Sequence, residues 1–406
     1  MTLTNLLYFL MLFKRTKTLL SPNTNLVKIP STAAKFKCHI CNKNTTVPFE
    51  LWDFDKSISS DCKLIKSKPT IGNCLYCKST VKKTSTTWKN EVSKIYNNYS
   101  IYSDSGGSEK VVFDSNQKTQ KPRSEVIIET LINKVKLPHN MKILDIGTGS
   151  GVFLKAANKN FASASLFGHD INDNFMSELE TIPNFKEFFY GNIDTIQTKF
   201  ELISLIHVLE HVLDPIVFLK QIKTNLTKDG YLIINVPDSE NNPIDLAIYD
   251  HCTHFQTTTL INVLGKAGFE VSFISNKKIP REIIIIAKIG KYKSISKNNE
   301  TNFVRKNTAY LKSMYMCANN LRKNFEIDIF GSSLASIWLA DQLSEWKGNF
   351  VDEDKNKYKK KINGKPIVSP SEVKKETNIF IPLEKEISKA IAKRLSSKNV
   401  TYHYTN

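Results

Sequence analysis

From residue 142 onward the chain alternates short apolar runs with segments of helical period. Apolar runs at 142–146, 165–169, 201–206, 230–236 and 281–288 have strand length. Between them, 151–158, 172–180, 213–225 and 257–267 carry apolar residues at three- and four-residue intervals, and 123–136 does the same ahead of Pro138. Apolar strands alternating with helices predict a mostly parallel α/β sheet. The pattern restarts near the C-terminus, with a strand over 326–330, a Gly331-Ser332-Ser333 turn, a helix over 334–343 and strands at 349–352 and 378–381. The Lys- and Asn-rich stretch 291–325 reads as a linker with one helix, and 81–120 is polar.

The first 30 residues read as a disordered leader. The apolar run Leu6–Phe13 is too short to span a bilayer, and Lys14, Arg15 and Lys17 follow it, whereas a secretory signal carries its charge in front. The expectation is a cytoplasmic protein without stable membrane insertion.

Charge changes the picture by its placement. The 406 residues carry a net +18. Residues 121–290 hold 17 basic and 19 acidic side chains, so the excess lies on the flanks. A nucleic-acid enzyme more often has a basic track beside its site, so this balance counts against a nucleic-acid partner.

Seven cysteines are present, four of them in two C-x-x-C pairs, Cys38/Cys41 and Cys74/Cys77. Two such pairs in a long chain without a secretory signal favour a closed four-thiolate zinc site, structural rather than catalytic, over disulfides.

The chemistry concentrates after the first strand of the α/β pattern. Ile143-Leu144-Asp145-Ile146-Gly147-Thr148-Gly149-Ser150-Gly151 is a strand entering a glycine turn that opens a helix. Glycine there lets a ligand approach the backbone. The G-x-G-x-G spacing is one residue short of the dinucleotide fingerprint and favours S-adenosylmethionine (SAM) over NAD. Asp170 ends the next strand, where a carboxylate can accept from both ribose hydroxyls. Asn192 and Asp194 follow the third strand region, where a polar group can meet an adenine amine. Leu202–Pro215 reads LISLIHVLEHVLDP, placing His207 across the carboxyl ends of the strands.

This set resembles the class I SAM-dependent methyltransferases. The resemblance implies that Asp145, Gly147, Gly149 and Gly151 form the loop holding the methionine end. It places the ribose on Asp170, the adenine at Asn192 and Asp194, and the sulfonium beside His207. Further on, Tyr249-Asp250-His251 and His254 precede a Thr-rich helix start. A histidine beside an acid can take a proton while the methyl group moves. This stretch resembles the three-part sugar C-methyltransferases, in which an acid–His pair supplies the base and a tyrosine stands two residues before the acid. Here Tyr249 directly precedes it. The resemblance implies catalytic roles for His251, Asp250 and Tyr249. It also implies a cover over the acceptor from the cysteine segment and from the Tyr99–Ser108 run, in which Tyr102 could touch substrate.

The expected organisation is a leader (1–30), a zinc-binding and acceptor-covering segment (31–110), a SAM-dependent methyltransferase domain (111–290), a linker and helix (291–325) and a Rossmann-like C-terminal domain without its own cofactor (326–406). The expected fold is α/β, a Rossmann-like class I methyltransferase sheet flanked by that zinc segment and a smaller C-terminal α/β unit. The expected function is methyl transfer to a small molecule, a sugar or sugar nucleotide, in sugar biosynthesis. An RNA or protein acceptor and a non-catalytic zinc-bearing scaffold stay open, as do the oligomeric state and the choice between C- and O-methylation.

Overall fold

A computed structural model of the chain describes residues 34–49, 54–97, 109, 111–113, 120–291, 302–374, 376–396 and 400–405. The leader 1–30 and the Tyr99–Ser108 run, with Tyr102, lie outside the described residues.

The described chain opens with short strands, among them β1 (Thr46–Pro48), β2 (Ile71–Cys74) and β3 (Thr80–Lys82), with the two-residue pair Ser57–Ile58 and Leu64–Ile65 between β1 and β2, followed by helix α1 (Thr86–Asn97). Helix α2 (Arg123–Lys134) leads into β4 (Lys142–Ile146), α3 (Val152–Asn160), β5 (Ser165–Asp170), α4 (Met176–Glu180) and β6 (Phe185–Tyr190). Then come β7 (Phe200–Ile206), α5 (Pro215–Asn225), β8 (Leu226–Pro237), β9 (Thr253–His254), α6 (Thr257–Ala267), β10 (Phe269–Ser275) and β11 (Glu282–Ile289).

The central sheet has seven strands in the order β6-β5-β4-β7-β8-β11-β10. The first five are parallel and β11 runs antiparallel to both its neighbours. Strand order reverses between β4 and β7, which opens a crevice at their carboxyl ends. The middle strands are apolar because helices cover both faces: Ile143, Leu144, Leu202, Ile203, Ile233 and Ile234 are all fully buried. Helix starts follow local chemistry. Asp214 accepts from the Val217 N–H at 3.2 Å with Pro215 in the first turn of α5, and Gln256 and Thr259 form a reciprocal capping box on α6.

Helix α7 (Asn302–Asn324) precedes the last unit: β12 (Ile327–Phe330), α8 (Leu334–Gln342), β13 (Phe350–Val351), β14 (Lys365–Val368), β15 (Thr377–Ile381), α9 (Lys385–Arg394) and β16 (Val400–Tyr404). Its sheet, β14-β13-β12-β15-β16, is parallel, with Lys361–Ile362 added antiparallel at the β14 edge. Its core continues into the cysteine segment, where Phe54 meets Trp338 edge-on at 4.7 Å between centroids.

Candidate functional site

The glycine turn stands at the carboxyl end of β4. Gly147, Gly149 and Gly151 all have positive φ, 71°, 47° and 74°. A Cβ on Gly147 would lie 2.5 Å from Val208 Cγ2, and one on Gly151 2.6 Å from Leu179 Cδ2. Both conformation and space therefore require glycine at these two positions. Asp170, at the end of β5, reaches the turn, since the Gly149 N–H donates to its Oδ2 at 3.0 Å and the Ile171 N–H to its Oδ1 at 2.7 Å. Asn192 accepts from the Asp194 N–H at 3.2 Å and caps a short turn after β6, leaving both side chains exposed while Ile193 anchors in the core. These groups rim the crevice at the ends of three neighbouring strands.

Asp145 and His207 stand at the carboxyl ends of β4 and β7. Asp145 points beneath the turn, not into the crevice. It is buried and accepts from Ser204 Oγ on β7 at 2.6 Å. Burial pushes its carboxyl up to about 7, against the Ser204 and Thr148 hydrogen bonds. His207, at the end of β7, holds a left-handed φ of 55°. Its Nδ1 lies 3.0 Å from Glu210 Oε1 and its Nε2 3.3 Å from Glu282 Oε2. Burial and the nearby Arg123 press its pKa down, but the two glutamates outweigh them and raise it.

The segment expected to face the acceptor runs from the turn Pro243–Ala247 to β9. Its centre is Asp245, a fully buried carboxylate. His251 Nδ1 lies 2.6 Å from its Oδ1 and His254 Nδ1 2.8 Å from its Oδ2, while Ser239 Oγ donates at 2.6 Å. Burial opposes ionisation, but the two histidines overcome it and hold Asp245 well below the usual carboxylate range. Asp250, expected on His251, goes elsewhere: it accepts from the Ser60 N–H at 2.8 Å and Ser60 Oγ at 2.5 Å, and its Oδ2 lies 3.4 Å from His211 Nδ1. The His211 and His251 rings meet edge to face, centroids 4.6 Å apart. Tyr249 turns away into a cluster with Trp88, Val92 and Ile95, because its carbonyl is taken by Trp88 Nε1 at 2.9 Å and Lys82 Nζ at 3.0 Å.

The cysteine segment is built onto this stretch. Strand β3 pairs antiparallel with β9, joining Val81 to Thr253 and Thr80 to His254. His39 Nε2 and Thr253 Oγ1 lie 2.8 Å apart. Lys82 is fully buried, its amine donating to the carbonyls of Ile248 and Tyr249. The two cysteine turns repeat one geometry: the Asn42 N–H donates to Cys38 O at 2.8 Å and the Lys78 N–H to Cys74 O at 2.9 Å, both residues at φ near 60°. The four Sγ atoms lie within 4.8 Å of one another, with Cys38–Cys77 at 3.6 Å and Cys41–Cys74 at 3.5 Å. These spacings suit four thiolates about one tetrahedral cation, for which Zn–S bonds of about 2.3 Å put sulfurs close to 3.8 Å apart.

The sequence profile of a methyltransferase domain matches residues 121–272. The chain is also 26% identical over 223 residues to a release factor glutamine methyltransferase of Flavobacterium psychrophilum, covering 52% of this chain and 69% of that one. The chain carries a methyltransferase domain. Solved structures similar to this methyltransferase include a SAM-dependent methyltransferase from Clostridium acetobutylicum (15% identity, 41% of this chain and 90% of that one, TM-score 0.35) and the mitomycin 7-O-methyltransferase MmcR (14%, 41% and 53%, TM-score 0.36).

In this methyltransferase the structure brings the glycines and Asp170 together, keeps Asp145 below them, and gives His251 the partner Asp245. Sequence reasoning missed Asp245, Glu210, His211, Ser60 and Lys82. His211 had a signal, standing four residues after His207 in LIHVLEHV. Asp245 and Ser60 had none, since loop contacts leave no periodicity. Among the described residues no helix is long and apolar enough to cross a membrane.

Proposed function

We propose that this enzyme transfers the SAM methyl group to a small acceptor, a sugar or nucleotide-linked sugar. The observation that carries the reading is the buried Asp245–His251 pair at 2.6 Å on the segment beyond β8. Such a pair fixes the imidazole tautomer, leaves Nε2 as acceptor and stabilises the charged ring once it takes a proton. Asp170 accepts from the ribose hydroxyls, Asn192 and Asp194 meet the adenine, and the glycine backbone holds the methionine end. His207 stands beside the sulfonium, and Asp145 positions the turn from below. As the methyl group moves in line, its C–S bond breaks, the thioether leaves with the electron pair, and His251 removes the acceptor proton. Holding both reactants at attack distance supplies on the order of 7–11 kcal/mol.

Asp250 positions His211 and ties it to Ser60, and Tyr249 packs instead of touching substrate. Cys38, Cys41, Cys74 and Cys77 hold a structural zinc whose sheet, through β3, Lys82 and His39, shapes the acceptor segment. A protein acceptor is the second reading, favoured by the name of the Flavobacterium relative.

The test is methyl transfer to a panel of nucleotide-linked sugars by wild type and His251→Ala. A loss of kcat of about 100-fold or more with unchanged SAM affinity is expected for a general base. Unchanged turnover in the variant removes His251 from the mechanism.

A further inference from the structure

Glu210, His211 and His251 converge from two segments, and one donor atom of each lies within 4.8 Å of those of the other two. Each is tied back on one side. His251 Nδ1 is held by Asp245 at 2.6 Å. His211 Nδ1 faces Asp250, 3.2 Å from its carbonyl and 3.4 Å from Oδ2. Glu210 Oε1 lies 3.0 Å from His207 Nδ1. That leaves Nε2 of both histidines and Oε2 of Glu210. Glu210 is 1% exposed, and its Oε2 is buried with no hydrogen-bond partner among the described residues. A buried carboxylate oxygen without a donor is costly, and a cation removes that cost. Histidines whose Nδ1 is held by a carboxylate or carbonyl are the usual outer support of a metal centre, because the support fixes the tautomer and leaves Nε2 to coordinate.

We propose that Glu210, His211 and His251 form a second metal site, a two-histidine, one-glutamate centre for a divalent transition cation of the zinc class, with its fourth position open. It differs in kind from the cysteine cluster, offering nitrogen and oxygen donors in place of thiolates. Its consequence rests on the reading of His251 as base. A cation there takes the Nε2 lone pair that would accept the proton, so occupancy and turnover exclude each other.

The test uses the full chain with cobalt as probe. Metal-free protein is titrated with Co2+, reading bound metal per chain and the visible and near-ultraviolet spectrum. Wild type is expected to bind two cobalt ions, one with thiolate charge-transfer bands and one without. Glu210→Gln and His211→Ala are each expected to bind one and keep the thiolate bands, with circular dichroism matching wild type. One cobalt per wild-type chain, or two in both folded variants, overturns the site. Methyl transfer is read in the same titration. A fall that tracks the second cobalt supports the competition, whereas two bound cobalt ions with full turnover keep the site and overturn His251 as base.

Discussion

Asp170 and Asp145 stand 25 residues apart and carry opposite chemistry. Asp170 already accepts backbone N–H groups at the crevice rim. Asp170→Ala is expected to weaken SAM binding about 10- to 100-fold, the value of a charge-assisted hydrogen bond or two, as read by calorimetry. An unchanged affinity would take the ribose off Asp170. Asp145 is buried, with its carboxyl raised to about 7. The folded state therefore holds its proton where the unfolded state has lost it, and Asp145 lowers stability progressively as pH rises from about 4 to 7. Asp145→Asn is expected to match wild type near pH 4 and to exceed it above pH 7, by an amount on the order of a few kcal/mol. Denaturant unfolding across that range checks it, and parallel pH curves would contradict it. The glycines were legible from sequence because positive φ and a crowded turn leave a residue-type signature. The Asp245–His251 contact was not, because a buried loop acid looks like any other acid.

At the scale of elements, strand positions in the parallel sheet were legible because burial on both faces makes them apolar throughout. The edge strands were harder. β6 is half-exposed with a mixed pattern, and β10 sits at the opposite edge, so neither stands out from its flanks. The pairing of β3 with β9 joins segments about 170 residues apart and leaves no local trace. It nonetheless makes a prediction. Lys82→Met leaves the Ile248 carbonyl without its donor, while the Tyr249 carbonyl keeps Trp88 Nε1. The expected loss is roughly 1–3 kcal/mol for that one buried acceptor. Because the damage falls on the acceptor segment, kcat/KM for the acceptor should drop while SAM affinity holds. Equal loss of both would mean that Lys82 supports the whole fold instead.

At the scale of the molecule, the cysteine segment and the C-terminal sheet share a core in which Trp338 is fully buried against Phe54. Trp338→Ala is expected to cost about 3–5 kcal/mol in denaturant unfolding. A loss below 1 kcal/mol would show that this contact does not couple the two segments. The charge distribution also belongs to this scale. With residues 121–290 near neutral and the excess on the flanks, acceptor binding should depend weakly on salt, whereas an RNA acceptor would lose affinity steeply between 50 and 200 mM.

The destination of the methyl group decides the acceptor class. The enzyme is incubated with methyl-labelled SAM and an equimolar mixture of nucleotide-linked sugars, total tRNA and release factor protein, and each fraction is counted. Label in the nucleotide-sugar fraction, absent with His251→Ala, is the predicted result. Label in the protein or RNA fraction instead would rule out a sugar acceptor.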